Sequence, residues 1–292
     1  MSLLKHYFNG LETAIRAEFY VSLRTFGSKL IVLAPALVVV MQYLIIKLQE
    51  TSAQARDSLL GRNSFDAAVA ENAYGYFVDG LSTGLTMLGL LLVAQAAYSF
   101  SYERDVGAVR HLLIRRISRP SLIIAKLFHI HVLAILSLLL LMAVSYICSG
   151  WFWEFGPIVE DGFELISEAE IREEIGLGLQ LAIVPIPPAI AFGLLISVSA
   201  HSTTQAITTA LGITLAIDIF KSTLGDFSHY LYATFQPSLL DQSYLQDVSR
   251  IVRGFSDVLV DERVQQLNWW VPWPALLIFL CLALVIVQRR KL

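Results

Sequence analysis

Six runs of predominantly apolar residues, each close to the length of a bilayer crossing, constrain this chain more than any other feature. They lie at about residues 30–48, 79–100, 122–148, 176–200, 205–220 and 271–287. A hydrocarbon core of about 30 Å takes about 20 helical residues at roughly 1.5 Å each. Inside lipid, each backbone N–H and C=O must find its partner within the segment, so runs of this kind are expected as helices. Composition agrees. The 292 residues are 56% hydrophobic and only 15% charged, more apolar surface than a soluble domain of this size can hide. The expected fold is an all-α integral membrane domain of six transmembrane helices, spanning residues 1–292 as one unit.

The basic residues orient it. Most of the 21 Lys and Arg residues fall in residues 1–29, in 102–126 and in 289–291. Short segments rich in Lys and Arg are retained on the cytoplasmic side, so both termini are expected to be cytoplasmic. Residues 1–29 lack the pattern of a signal peptide. Instead Leu4, Phe8, Leu11, Ile15, Phe19 and Phe26 form one stripe at helical spacing, with Glu12, Arg16, Glu18 and Arg24 mostly off it. That predicts an amphipathic elbow helix lying in the interface. Outer segments are expected at 49–78, 149–176 and 222–268. In 149–176, Phe163, Ile166, Ile171 and Ile175 predict a short surface helix. Its many acids read as a solvated face rather than a cation site, because they lack loop spacing. Trp151 and Trp153 fit an interfacial belt. In 222–268, Leu240, Tyr244, Val248, Ile251, Phe255 and Leu259 predict one or two outer amphipathic helices.

Polar groups within the spans are few. Gln42 and Gln95 are candidates to line a pathway, or to make single interhelical hydrogen bonds. Pro185, Pro187 and Pro188 must kink or break the fourth span, freeing carbonyls that need partners. Pro185 and Pro187, with Thr208 and Thr209 of the fifth span, complete the candidate lining set. Asp218 and Lys221 stand three apart and can pair on one helix face. Gly80-Leu81-Ser82-Thr83-Gly84 fits the G-x-S-x-G pattern of serine hydrolases. That motif needs a strand–turn–helix in a soluble sheet, so here the glycines are read as helix-packing positions. His129 and His131 are two apart, point to different faces, and do not form a metal pair. No metal site is expected.

Residues 102–127 read YERDVGAVRHLLIRRISRPSLIIAKL. Val109, Leu112, Leu113 and Ile117 recur at helical spacing, and Arg119-Pro120 breaks the pattern. The run Glu103-Arg104, Gly107, Leu112-Leu113, Ser118-Arg119 and Lys126 resembles the loop between the second and third spans in permease subunits of type-2 export-class ABC transporters. The elbow, with Glu18 and Arg24 ahead of the first span, is similar to theirs, as is the short fourth-to-fifth turn His201-Ser202-Thr203-Thr204. The chain departs from the family pattern at Val109-Arg110, where a second acid is common, and at Arg116-Ile117, where a proline is common.

The resemblance implies a permease whose residues 102–121 form a cytoplasmic coupling segment. Glu103, Arg104, Gly107, Arg110, Leu112, Leu113, Arg116, Ser118 and Arg119 would contact or support a separate ATPase subunit. No G-x-x-x-x-G-K-S/T phosphate loop occurs in the chain, so ATP and Mg are expected on that partner, with no cofactor on this chain and no enzyme activity of its own. A second permease subunit, identical or different, would complete the pathway. The resemblance further implies export of an unidentified substrate across a bacterial cytoplasmic membrane. The outer segments could take an extracytoplasmic partner, and nucleic acid is not an expected partner. Two other classes fit the composition. A membrane scaffold or sensor would need no ATPase, and a membrane-embedded enzyme would need converging ionisable groups at one depth, which the spans lack.

Overall fold

A computed structural model describes residues 10–60, 72–109, 117–160, 163–238, 244–252 and 261–290. The elbow helix α1 (Leu11–Arg24) ends at Thr25, and α2 (Phe26–Leu59) begins at once. Then come α3 (Ala73–Asp105), α4 (Arg119–Phe152), a hairpin of β1 (Ile158–Glu160) and β2 (Phe163–Ile166), α5 (Glu168–Ile183) and α6 (Ile186–Ser199). After α7 (Thr203–Phe220), 3-10 turns cover Lys221–Tyr230 and Tyr232–Phe235. The chain closes with α8 (Tyr244–Val252), α9 (Glu262–Trp270) and α10 (Pro272–Arg289). Among the described residues, six passes are long and apolar enough to cross a membrane: α2, α3, α4, α5 with α6, α7 with its 3-10 extension, and α9 with α10. An even number of passes brings both ends of the described chain to one end of the bundle.

The helices outrun the apolar runs that predict them. At 34 residues, α2 and α4 are about 50 Å long, well past a hydrocarbon core of about 30 Å. Polar turns continue the helix once the backbone ladder is started. Leu33, Leu37, Met41 and Leu44 of α2, Leu136 and Leu139 of α4, and Leu277 and Ile278 of α10 face outward. Exposed apolar surface on this scale marks a lipid-facing bundle.

Helix α3 is the hub. It packs on α2, α4, α6, α7 and α8, and its pairing with α6 is the most extensive. Small residues permit this. A Cβ on Gly80 would lie 2.0 Å from the Tyr43 hydroxyl, and one on Gly84 would lie 2.3 Å from Leu141 Cδ1. The G-x-S-x-G pattern is thus a packing surface. At the α6 contact, the buried Ser197 hydroxyl enters the ladder of α3. It accepts from the N–H of Phe100 (3.2 Å) and Ser101 (2.9 Å) and donates to the carbonyl of Ala97 (2.6 Å). Side chains inserted in this way open a helix locally. Ser197→Ala is expected to lower stability by about 1–3 kcal/mol, because the N–H groups of Phe100 and Ser101 lose a buried acceptor; thermal unfolding checks this.

The proline cluster breaks the fourth pass between α5 and α6, as expected. Pro185 caps α6, and Ala189 N–H reaches back to its carbonyl. At the opposite end from the loop, the predicted helix around Phe163 and Ile166 is instead strand β2, paired antiparallel with β1. Only Ile171 and Ile175 are helical, and both are buried in α5, which a Ser167–Glu170 capping box starts. Trp151 is 80% exposed and suits an interface, whereas Trp153 is 6% exposed. Its ring stacks on Tyr76, and its N–H donates to Glu50 Oε1 at 3.2 Å, so it is a core residue. The predicted outer stripe forms α8 at Tyr244, Val248 and Ile251, and α8 is tucked inward: Leu245, Val248 and Val252 are buried against α3 and α5. Leu240, Phe255 and Leu259 lie outside the described residues. Asp218 and Lys221 pair at 2.9 Å.

Candidate functional site

The loop end of the bundle gathers all three stretches of resemblance. Helix α3 stops where Gly107 takes φ +77°, a left-handed conformation that glycine adopts without steric cost. Ser118 starts the next helix by accepting from the N–H of Ser121 at 3.3 Å, and Pro120 sits in the first turn. Between these caps, Val109 and Ile117 turn inward. They join Ala14 of α1, Phe100 of α3, Ile123 of α4, Val198 of α6 and Val287 of α10 in one apolar cluster. The two described ends of the segment are therefore seated on five helices. Arg110, Leu112, Leu113 and Arg116 lie outside the described residues.

Charged side chains then lock neighbouring termini. Arg104 Nη1 donates to the carbonyl of Ala200 at 2.6 Å. Arg290 donates to the same carbonyl at 2.7 Å and also to that of Val198. Arg119 Nη1 donates to the carbonyls of Arg290 (2.6 Å), Gln288 (3.2 Å) and Val287 (3.3 Å). Each guanidinium sits on the free carbonyls at a helix C-terminus, where a cation also opposes the negative end of the dipole. Asp105 does the converse at the start of α7. It accepts from both the N–H and the hydroxyl of Thr203, each at 2.7 Å. The fourth-to-fifth turn is thus clamped to the end of α3 by Arg104 and Asp105.

Deeper by a few turns, Lys126 of α4 is 1% exposed. Its ammonium donates to Glu18 Oε1 of α1 at 2.7 Å and to Glu103 Oε1 of α3 at 2.5 Å. Glu18 of the elbow meets Glu103 and Lys126, which come from opposite ends of the 102–127 stretch. Together they fix the elbow to the second and third spans.

Of the coupling set, Glu103, Arg104, Gly107, Ser118 and Arg119 sit together at this end. The candidate lining residues do not converge. Gln95 is half-buried and lines a cleft beside Lys126. Gln42 is half-buried on α2, and its Oε1 has no partner among the described residues. Pro185 and Pro187 mark the break in the fourth pass. Thr208 and Thr209 are on the exposed side of α7, and Thr208 donates back to Thr204. Sequence reasoning missed the roles of Asp105, Ser197 and Arg290. A Ser-Thr-Thr run just ahead of an apolar stretch is an N-cap signal that could have pointed to Asp105. No sequence signal identifies Ser197.

Comparison with curated proteins and with solved structures finds no match. A family model described as ABC-2 family transporter protein matches residues 13–288, which takes in the elbow, the six passes and the segment between the second and third. The chain is thus a multi-pass permease component and not itself the ATPase. With six candidate membrane passes among the described residues and a match over nearly the whole length, the protein belongs to the ABC-2 family of transporter proteins.

Proposed function

We propose that the chain, as one permease domain over residues 1–292, converts ATP hydrolysis on a separate ATPase subunit into export of a substrate across a bacterial cytoplasmic membrane. The ATPase, carrying the ATP and Mg, docks at the loop end, which faces the cytoplasm. Its contacts are the segment Arg110–Arg116 and the exposed face of α1. The observation that carries this reading is the clamping of the described residues on either side of that segment. Gly107 and Ser118 cap the helices there, Glu103 reaches the elbow through Lys126 and Glu18, Arg104 holds the turn before α7, and Arg119 holds the end of α10. A push on Leu112 or Leu113 then reaches five of the six passes as rigid-body motion rather than loop flexing.

Two permease subunits, alike or different, complete the pathway. Thr204, Thr208, Gly212 and Ala216 recur every fourth residue on the exposed face of α7. Small residues let helices approach closely in lipid, so this face supports pairing of subunits. Thr208 and Thr209 then line the path between them, with the proline break of the fourth pass as its hinge. The hairpin and the 222–268 region face an extracytoplasmic partner. Mostly apolar passes favour a lipid-like or peptide-like cargo.

The test is a variant with Arg110, Leu113 and Arg116 all replaced by Glu, purified with its ATPase. The expected result is loss of ATP-driven transport, with the permease still folded. Full transport by this variant would remove the segment from the coupling path.

A further inference from the structure

The cleft beside Lys126 has features that coupling does not use. It measures about 350 Å³ and opens between α1, the start of α2, the last turns of α3 and the first turns of α4. Its charged lining among the described residues is Glu18, Glu103 and Lys126. Two carboxyl groups stand against one ammonium. Lys126 spends its bonds on Glu18 Oε1 and Glu103 Oε1. Glu103 Oε2 is buried and has no partner among the described residues. His129, 4% exposed, lines the same cleft, and its Nε2 is likewise buried without a partner. A buried carboxylate oxygen or ring nitrogen left unpaired is costly, so the site is incomplete as it stands.

What would complete it is a cation that donates hydrogen bonds. Among the described residues no three His, Cys, Asp or Glu side chains, Glu18, Glu103 and His129 included, are placed to hold one metal ion together, which disfavours a divalent ion. Tyr98 and Tyr102, stacked with ring centroids 4.7 Å apart, also line the cleft. Aromatic faces attract an ammonium group. Gln95 adds a neutral acceptor. We infer that this cleft binds a primary ammonium group through Glu103 and His129, of the kind carried by an aminophospholipid headgroup or by a soluble amine. The inference needs only that the chain spans a membrane and is independent of the ATPase reading.

The experiment is native mass spectrometry of the full-length chain in detergent, titrated with phosphatidylethanolamine, phosphatidylcholine or phosphatidylglycerol. A trimethylated headgroup keeps the charge but loses the donors. The primary amine is therefore expected to be retained about tenfold or more over phosphatidylcholine, the worth of one charge-assisted hydrogen bond. Glu103→Gln removes the charge and is expected to abolish the preference. Ser99→Leu fills the cleft without touching the ion pair and is expected to do the same. Monodisperse elution and a thermal transition show that each variant is folded. Free ethanolamine forms the second arm. Displacement of the lipid by it supports the site and makes a soluble amine a ligand in its own right. Failure to displace, with the lipid preference intact, assigns the site to the headgroup. Equal retention of phosphatidylethanolamine and phosphatidylcholine, or a preference that survives both variants, overturns the inference.

Discussion

Replacing Lys126 by methionine is expected to cost about 3–5 kcal/mol, the range for removing one partner of a buried ion pair. The cost arises less from the lost attraction than from what remains. Glu18 and Glu103 both point at the ammonium, and their side chains are only 14% and 23% exposed. Without Lys126, two carboxylates face each other away from water. Neutralising one of them should then help. Adding Glu103→Gln to Lys126→Met is expected to recover a large part of the loss, because groups in contact are not additive. The reading is the apparent melting temperature and the yield of monodisperse protein for the two single and the double variants. A Lys126→Met protein as stable as the parent would mean that the three helices are held by apolar packing alone.

The second large effect is expected at Gly193. A Cβ there would lie 2.6 Å from Ala96 Cβ and 2.8 Å from the Val93 carbonyl oxygen, and both belong to the hub helix α3. Neither atom is the tip of a flexible side chain, so the helices themselves must separate. The contact also holds Ser197, whose hydroxyl bonds depend on the close approach. Gly193→Val is expected to destabilise by about 3 kcal/mol, the upper part of the overpacking range. Gly212→Val, where nothing lies within 4 Å of an added Cβ, is the control and is expected to leave the monomer's unfolding unchanged. Equal melting of the two variants would contradict the packing account of α3 with α6.

The contrast between these sites shows what the sequence could carry. The membrane class and the six passes follow from run length and hydropathy, which act within one segment. The Pro185 break was also legible, because it obeys a rule of near neighbours, whereas Gly107 and Ser118 were named only through the resemblance and their capping roles come from the structure. The elbow was legible as a stripe, yet Phe26 from that stripe begins α2, because Thr25 in extended conformation separates the helices. Phe163 and Ile166 were read as the start of a helix that holds only from Glu168 on, since alternate and helical spacing cannot be told apart with two or three apolar positions. Trp153 was assigned to the interface because aromatic residues near span ends usually lie there, and only the tertiary contact with Tyr76 and Glu50 overrides that. The site was legible as separate stretches. Its assembly was not, because Glu18, Glu103 and Lys126 are 23 to 108 residues apart and meet only when three helices pack.

The most direct measurement is affinity purification of the detergent-solubilised chain from its native membranes, followed by an ATPase assay on the eluate. The account predicts a co-purifying ATPase subunit with measurable, magnesium-dependent hydrolysis, and its loss of coupling in the Arg110, Leu113 and Arg116 variant. A folded, monodisperse chain that repeatedly elutes with no ATPase would contradict the account.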